Sequence, residues 1–221
     1  MNNHNNLIGK NILIFDVETT GLPTRKNYYA TGIDEYYDPT DLSKYNTSRI
    51  VSIAYVYVEK FNIETLSKSK IIYKVRKPLD FVINNESVKI HGITTEYAKL
   101  NGKILSIILN DFSEKLSNCD YIVAHNALFD IHVLLSEMHR INFESNFENL
   151  KFHLDEKKYL CTGELGRNIC KIPTKQYNTQ YKMPKLSELY NKVCGNDNLE
   201  FHNAKNDVYA IVKILSELIK K

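Results

Sequence analysis

At 221 residues, with 43% hydrophobic and 25% charged side chains, the chain is long enough for one substantial core and too balanced in composition for a fibrous or disordered protein. A net charge of +3 excludes a polycation that coats nucleic acid, although it suits an enzyme that grips a few phosphates at one end. Cys119, Cys161, Cys170 and Cys194 form no CxxC pair, and no apolar run reaches membrane length, so the expectation is an intracellular protein in a reducing compartment with free thiols and no membrane association.

The polar start MNNHNNLIGK is read as a disordered tail over 1–10, ahead of a single domain over 11–221. The first element is a strand at 11–17, where Ile12 and Ile14 alternate with Leu13, Phe15 and Val17. Asp16 and Glu18 close it. Side chains two apart on a strand share a face, and two like charges at the edge of a core are costly unless a cation lies between them. Alone, such a pair more often caps a solvated strand end.

A connection at 23–48 follows, rich in tyrosine (Tyr28, Tyr29, Tyr36, Tyr37, Tyr45) and longer than a compact domain needs unless it is functional or disordered. Strands are predicted at 49–58 and 70–77. Lys68, Lys70, Lys74 and Arg76 alternate along the second of these, and a solvated or guarded sheet face is preferred there over a nucleic-acid surface. A helix over 103–117 and a strand at 121–125 come next. In YIVAHNALFDIHVLLSEM a short buried strand turns at His125 and Asn126 into a helix with Ile131, Leu134, Leu135 and Met138 at helical spacing. Asp130 opens that helix on the side of Leu134, facing the sheet, though an acid in a first turn also complements the helix dipole. Between Lys175 and Lys185, lysines interleave with Tyr177 and Tyr181; such a segment can hold single strands or be an ordinary polar loop. In the last helix, Asp207, Ile211, Ile214 and Leu218 form one stripe behind an N-cap at Asn203. A carboxylate heading a buried face has no stability rationale. His202 stands five positions before it.

Together FDVETTGLP, INNESVKIHGIT, VAHNALFD and HNAKND, in this order from Ile12 to about Leu218, resemble the motifs of the DEDDh family, the DnaQ-like, proofreading-type 3′-5′ exonucleases of the ribonuclease-H-like superfamily. The resemblance implies an α/β fold, a ribonuclease-H-like mixed five-stranded sheet flanked by helices. It also implies hydrolysis of phosphodiester bonds from a 3′ end, with release of nucleoside 5′-monophosphates. Such a reaction places charge on an attacking and a leaving oxygen, which two divalent ions stabilise, and hard Mg²⁺ or Mn²⁺ takes carboxylate ligands.

By the same resemblance Asp16 bridges both ions, Glu18 and Asp207 complete the one that holds the attacking water, Asp130 acts on the other directly or through water, and His202 is the general base. Thr19, Thr20, Gly21 and Leu22 match the segment that cradles and wedges the terminal base. Glu86 and His91 match residues near the terminal sugar, and Asn126 and Phe129 lie beside the scissile phosphate. For Leu22 and Phe129, core packing is an equal reading. The implied partner is the 3′ end of a nucleic acid, single-stranded DNA before RNA, and the default assembly is a monomer. An exoribonuclease and an inactive nucleic-acid-binding module remain as alternatives. The loop at 23–48 is expected to flank the site and line the incoming strand. At Cys161 and Thr162 many relatives carry Asp and Thr, so Cys161 departs from the pattern.

Overall fold

β1 (Ile12–Thr19) is the centre of the architecture, because it is apolar on both faces: Ile12, Leu13, Ile14 and Phe15 are all inaccessible to solvent. It pairs antiparallel with β2 (Ile50–Val58) and parallel with β4 (Tyr121–Ala124). β3 (Ile72–Val75) lies antiparallel outside β2, and β5 (Tyr159–Cys161) parallel outside β4, so the order is β3-β2-β1-β4-β5. This computed structural model describes residues 4–26, 32–173, 181–196 and 198–220. Within them the sheet is mixed, five-stranded and flanked by helices, as the motifs imply.

The alternation of β1 divides its side chains between two cores. Leu13, Phe15 and Val17 face α4 (Leu105–Ser117), α5 (Ala127–Arg140) and α6 (Glu144–Asp155), meeting Leu109, Phe112, Leu134 and Leu154. Ile12 and Ile14 face α9 (Ala204–Leu218), meeting Val208, Ile211 and Leu215. Asp16 and Glu18 continue this second row, so the strand's period of two aims both acids at the start of α9. A register shift between Glu18 and Thr19 ends regular pairing there. The remaining helices are α1 (Ile63–Lys68), α2 (Asn85–His91), α3 (Thr95–Asn101), α7 (Thr162–Cys170) and α8 (Leu186–Cys194).

Three segments differ in detail from the sequence expectations. In the expected tail, His4–Leu7 forms a 3-10 turn, Leu7 is buried against the α9-side core, and Gly9 and Lys10 exchange backbone hydrogen bonds with Phe61 at 2.9 and 2.7 Å. One apolar side chain with a core to enter is enough to order the segment. The basic row is only partly on a strand: Lys74 is half-buried on the edge strand β3 and Lys70 is exposed before it. Lys68 ends α1 and pairs with Glu64, while Arg76 is buried on Glu137 of α5. Finally, the described part of the 23–48 connection is structured. It holds 3-10 turns at Gly32–Glu35 and Leu42–Lys44; Tyr45 is buried, and Tyr36 stacks on His132 of α5 with ring centroids 4.6 Å apart. Tyr28, Tyr29, Lys175 and Tyr177 lie outside the described residues. Of the other basic candidates, Lys182 bonds Glu188 at 3.0 Å.

Candidate active site

Asp16 and Glu18 leave β1 on the face covered by α9, and Asp207 arrives in the first turn of that helix, behind Asn203, whose side chain accepts from the Lys205 N–H at 3.1 Å. Ligand oxygens of Asp16, Glu18 and Asp207 all lie within 4.8 Å of one another. Asp130 comes from the opposite face, at the start of α5. It is 2% exposed and its Oδ1 accepts the Val17 backbone N–H at 3.1 Å, which locks it to the strand between the other two acids. It lies outside the cluster of three but close enough for its charge to act on Asp16.

The electrostatics are those of carboxylates crowded away from water. Burial, and then the charges of Asp130, Asp207 and Glu18, hold the Asp16 carboxyl well above the usual range. Burial followed by Asp207 pushes Glu18 up to about 8. Burial raises Asp207 to about 7, against the opposing pull of the His202 backbone N–H. Burial also raises Asp130, with the Val17 N–H working the other way. Asp207 Oδ1 is buried with no hydrogen-bond partner among the described residues. An all-oxygen donor set with an orphaned carboxylate oxygen fits a hard divalent cation, and Asp16, Glu18 and Asp207 are the residues that could hold it.

The structure does not bring His202 into the cluster. Its side chain is exposed, and its backbone occupies the left-handed region at φ 65, next to the N–H that binds Asp207. Thr20 anchors the turn after β1: its N–H donates to Arg49 O at 2.9 Å and its hydroxyl to Thr47 O at 2.9 Å. The Thr19 hydroxyl donates to Gly21 O at 2.7 Å. A Cβ at Gly21 would stand 3.0 Å from the Thr47 carbonyl, so the turn is too tight for a side chain. Leu22 is 64% exposed, which excludes core packing, whereas Phe129 does pack against the α4–α6 core. Asn126 opens α5 at φ 61 and makes no side-chain cap.

α2 carries Glu86, exposed in its first turn, and His91, buried at its end. The Ile93 N–H donates to His91 Nδ1 at 3.1 Å, so the neutral ring carries its proton on Nε2, a buried donor with no partner among the described residues. Burial lowers the pKa of this imidazole and keeps it neutral. Motif reading missed Asn84, which ties α2 to the first motif. Its Nδ2 donates to Thr20 O at 2.6 Å while its Oδ1 caps the Ser87 N–H at 2.9 Å. The signal was an Asn directly before an acidic first turn. His125 is a structural clasp whose ring nitrogens meet the Thr162 hydroxyl and Pro184 O, each at 3.0 Å. Cys161, the departure from the family pattern, is the N-cap of α7, its Sγ accepting the Glu164 N–H at 3.4 Å.

The sequence model of the RNase_T family, described as Exonuclease, matches residues 13–215, a span that includes all four acids and His202. No curated protein matches the sequence. Among solved structures, Escherichia coli Exonuclease I in complex with a dA16 oligonucleotide aligns with a TM-score of 0.65 at 17% identity, covering 96% of this chain and 41% of that one. The zinc-bound E. coli Exonuclease I–ssDNA complex gives 0.67 at 18%, with the same coverage. Exonuclease X in complex with 5′ overhanging duplex DNA gives 0.52 at 19%, covering 95% of this chain and 91% of that one. The likeness is one of fold. The chain spans 41% of the length of Exonuclease I and 91% of Exonuclease X.

Proposed function

Because the chain belongs to the RNase_T exonuclease family, we propose that it is a metal-dependent 3′-5′ exonuclease that releases nucleoside 5′-monophosphates from a 3′ end, acting on single-stranded DNA before RNA. The observation that carries this reading is the convergence of Asp16, Glu18 and Asp207 within 4.8 Å, with Asp130 fixed beside them. Two divalent ions, Mg²⁺ or Mn²⁺, would supply stabilisation of charge on the attacking and leaving oxygens. Asp16, which feels the charge of the other three acids, is suited to bind both. Glu18 and Asp207 would complete the first ion's ligands and Asp130 the second's.

His202 would take the proton from the attacking water. The bond from its backbone to Asp207 supports this role by tying its segment to the acid cluster. At the 3′ end, Leu22 offers an exposed apolar side chain to the terminal base and His91 an unspent Nε2–H to the sugar. The turn at Thr19, Thr20 and Gly21, tied to α2 through Asn84, would cradle that nucleotide between them, with Glu86 at the rim. The preference for DNA rests on the first motif and on the DNA held by the fold relatives.

The test uses 5′-labelled single-stranded DNA and RNA of one sequence, with Mg²⁺ or Mn²⁺, and wild type beside Asp207→Ala. The expected result is a ladder shortening from the 3′ end, faster on DNA and absent in the variant. Intact oligonucleotides with folded wild type and both metals would refute the activity.

A further inference from the structure

One cavity, away from the four acids, is left without a role by the exonuclease reading. It has a volume of about 410 Å³ and opens between the segment after β3, the start of α4 and the end of α5. Arg49, Arg76, Lys77 and Arg140 line it, with Asp80 and Ser106. Glu137, 1% exposed, stands behind: Arg49 Nε reaches its Oε1 at 2.6 Å and Arg76 Nη1 reaches it at 2.8 Å. Arg49 also binds Asp80 at 2.8 Å, but the Asp80 side chain is 54% exposed. Three guanidinium groups and an ammonium thus face two carboxylates, an excess of two positive charges.

The donors are not used up. Among the described residues the Nε of Arg76, a side chain 5% exposed, has no hydrogen-bond partner, and neither has the buried Nε of Arg140, which lies 3.9 Å from Glu137 Oε2. α4 begins at the same cavity with Ile104 at its N-cap, an apolar side chain that makes no cap hydrogen bond. A helix start left open beside surplus arginines is favourable for an anion. Leu79 and Ile104, 71% and 40% exposed, also line the cavity and offer apolar contact to whatever the anion is esterified to.

We propose that this cavity is a phosphate subsite, which takes a phosphate-class oxyanion carried on a nucleotide. Its position favours a backbone phosphate of the bound strand, upstream of the 3′ terminus. Arg49 exchanges backbone bonds with Thr20 of the first motif, its N–H donating to the Thr20 hydroxyl at 3.0 Å. Glu137 follows Asp130 by seven residues on α5, a rise of about 10 Å. The cavity therefore lies at the same end of the sheet as the acids, beyond the ends of β2 and β3 and on the α4–α5 face, opposite the one on which α9 covers Asp16 and Glu18. The strand assignment rests on the proposed function; the phosphate chemistry does not, since a free mononucleotide presents the same group.

The experiment measures anisotropy of labelled dT12 on the full chain in EDTA, where nothing is hydrolysed, across a salt series, for wild type, Arg140→Gln and Lys77→Gln. Thermal melts with inorganic phosphate and thymidine 5′-monophosphate are run in parallel. The expected result is dT12 binding about three- to tenfold weaker in each variant, with the log K–log salt slope shallower by about one. Hydrolysis of a p-nitrophenyl ester of thymidine monophosphate, too short to reach the cavity, should be unchanged. If the occupant is a free nucleotide, phosphate or the monophosphate raises the wild-type melting temperature but not the variants', and dT12 binding is unaffected. Wild-type dT12 affinity and slope in both variants, together with no shift by either small anion, would overturn the subsite. Binding in EDTA separates the two readings: a chain that cleaves nothing but loses dT12 affinity in Arg140→Gln keeps the cavity and loses the nuclease.

Discussion

His202 holds its backbone at φ 65, a left-handed conformation that costs a residue with a Cβ about 1 kcal/mol or more. Nothing in the packing demands an imidazole there, since the ring is in solvent, but the backbone N–H is used, on Asp207. Glycine adopts this geometry without penalty and keeps the N–H. His202→Gly therefore isolates the side chain. The melting temperature should be equal to wild type or higher, metal binding intact, and cleavage slower by about 10² to 10⁴ if the ring is the general base. Turnover near wild type would move that role elsewhere. His125 shows why a histidine in a motif does not declare its job. Burial pushes it down to about 4, so it stays neutral and clasps β4 to α7 and the segment before α8. Spacing along the chain distinguishes neither case; exposure does.

The element that unites the site is α5, with Asp130 on β1 at one end and Glu137 under Arg49 and Arg76 two turns later. Removing Glu137 would leave two buried guanidinium groups sharing one half-exposed acid. Glu137→Ala should then cost about 3–5 kcal/mol, read as a lower urea midpoint at unchanged m-value, whereas a loss under 1 kcal/mol would mean that Asp80 suffices. About half of the strands and helices were legible: β1, β2, β3, β4, α4, α5 and α9 follow from periodicity, and the acids' faces follow with them. Arg76 was not. Alternation on a strand says which residues share a face but not whether another element covers it, and the cover here is α5, far along the sequence. α1 was missed because six residues are too few for a helical period, although the Asn62–Thr65 capping box that starts it is written in the sequence. The tyrosine-rich connection looked structureless for the same reason as Arg76: Tyr36 and Tyr45 are ordered by long-range contacts with α5 and their own loop.

For the whole molecule, the four acids make stability depend on pH and on cations, because β1, α5 and α9 can close on one another only by crowding them. Unfolded carboxylates titrate near 4, whereas Asp207 is raised to about 7 and Glu18 to about 8 in the fold, with Asp16 and Asp130 also raised. The folded chain therefore holds protons that the unfolded chain releases. That contribution is fully present below about pH 4 and is lost as pH rises through about 7 to 8. A divalent cation on the same oxygens replaces the protons and stabilises only the folded state. In EDTA the melting temperature should therefore fall between pH 5 and pH 8.5, and Mg²⁺ or Mn²⁺ should restore it far more at pH 8.5 than at pH 5. Asp207→Asn, which removes one charge while preserving shape, should flatten both dependences. The roles of protons and cations are separable in this design. A fall with pH that neither ion reverses would leave a crowded acid cluster without a metal function, and a cation shift of equal size at both pH values would place the ion on other ligands.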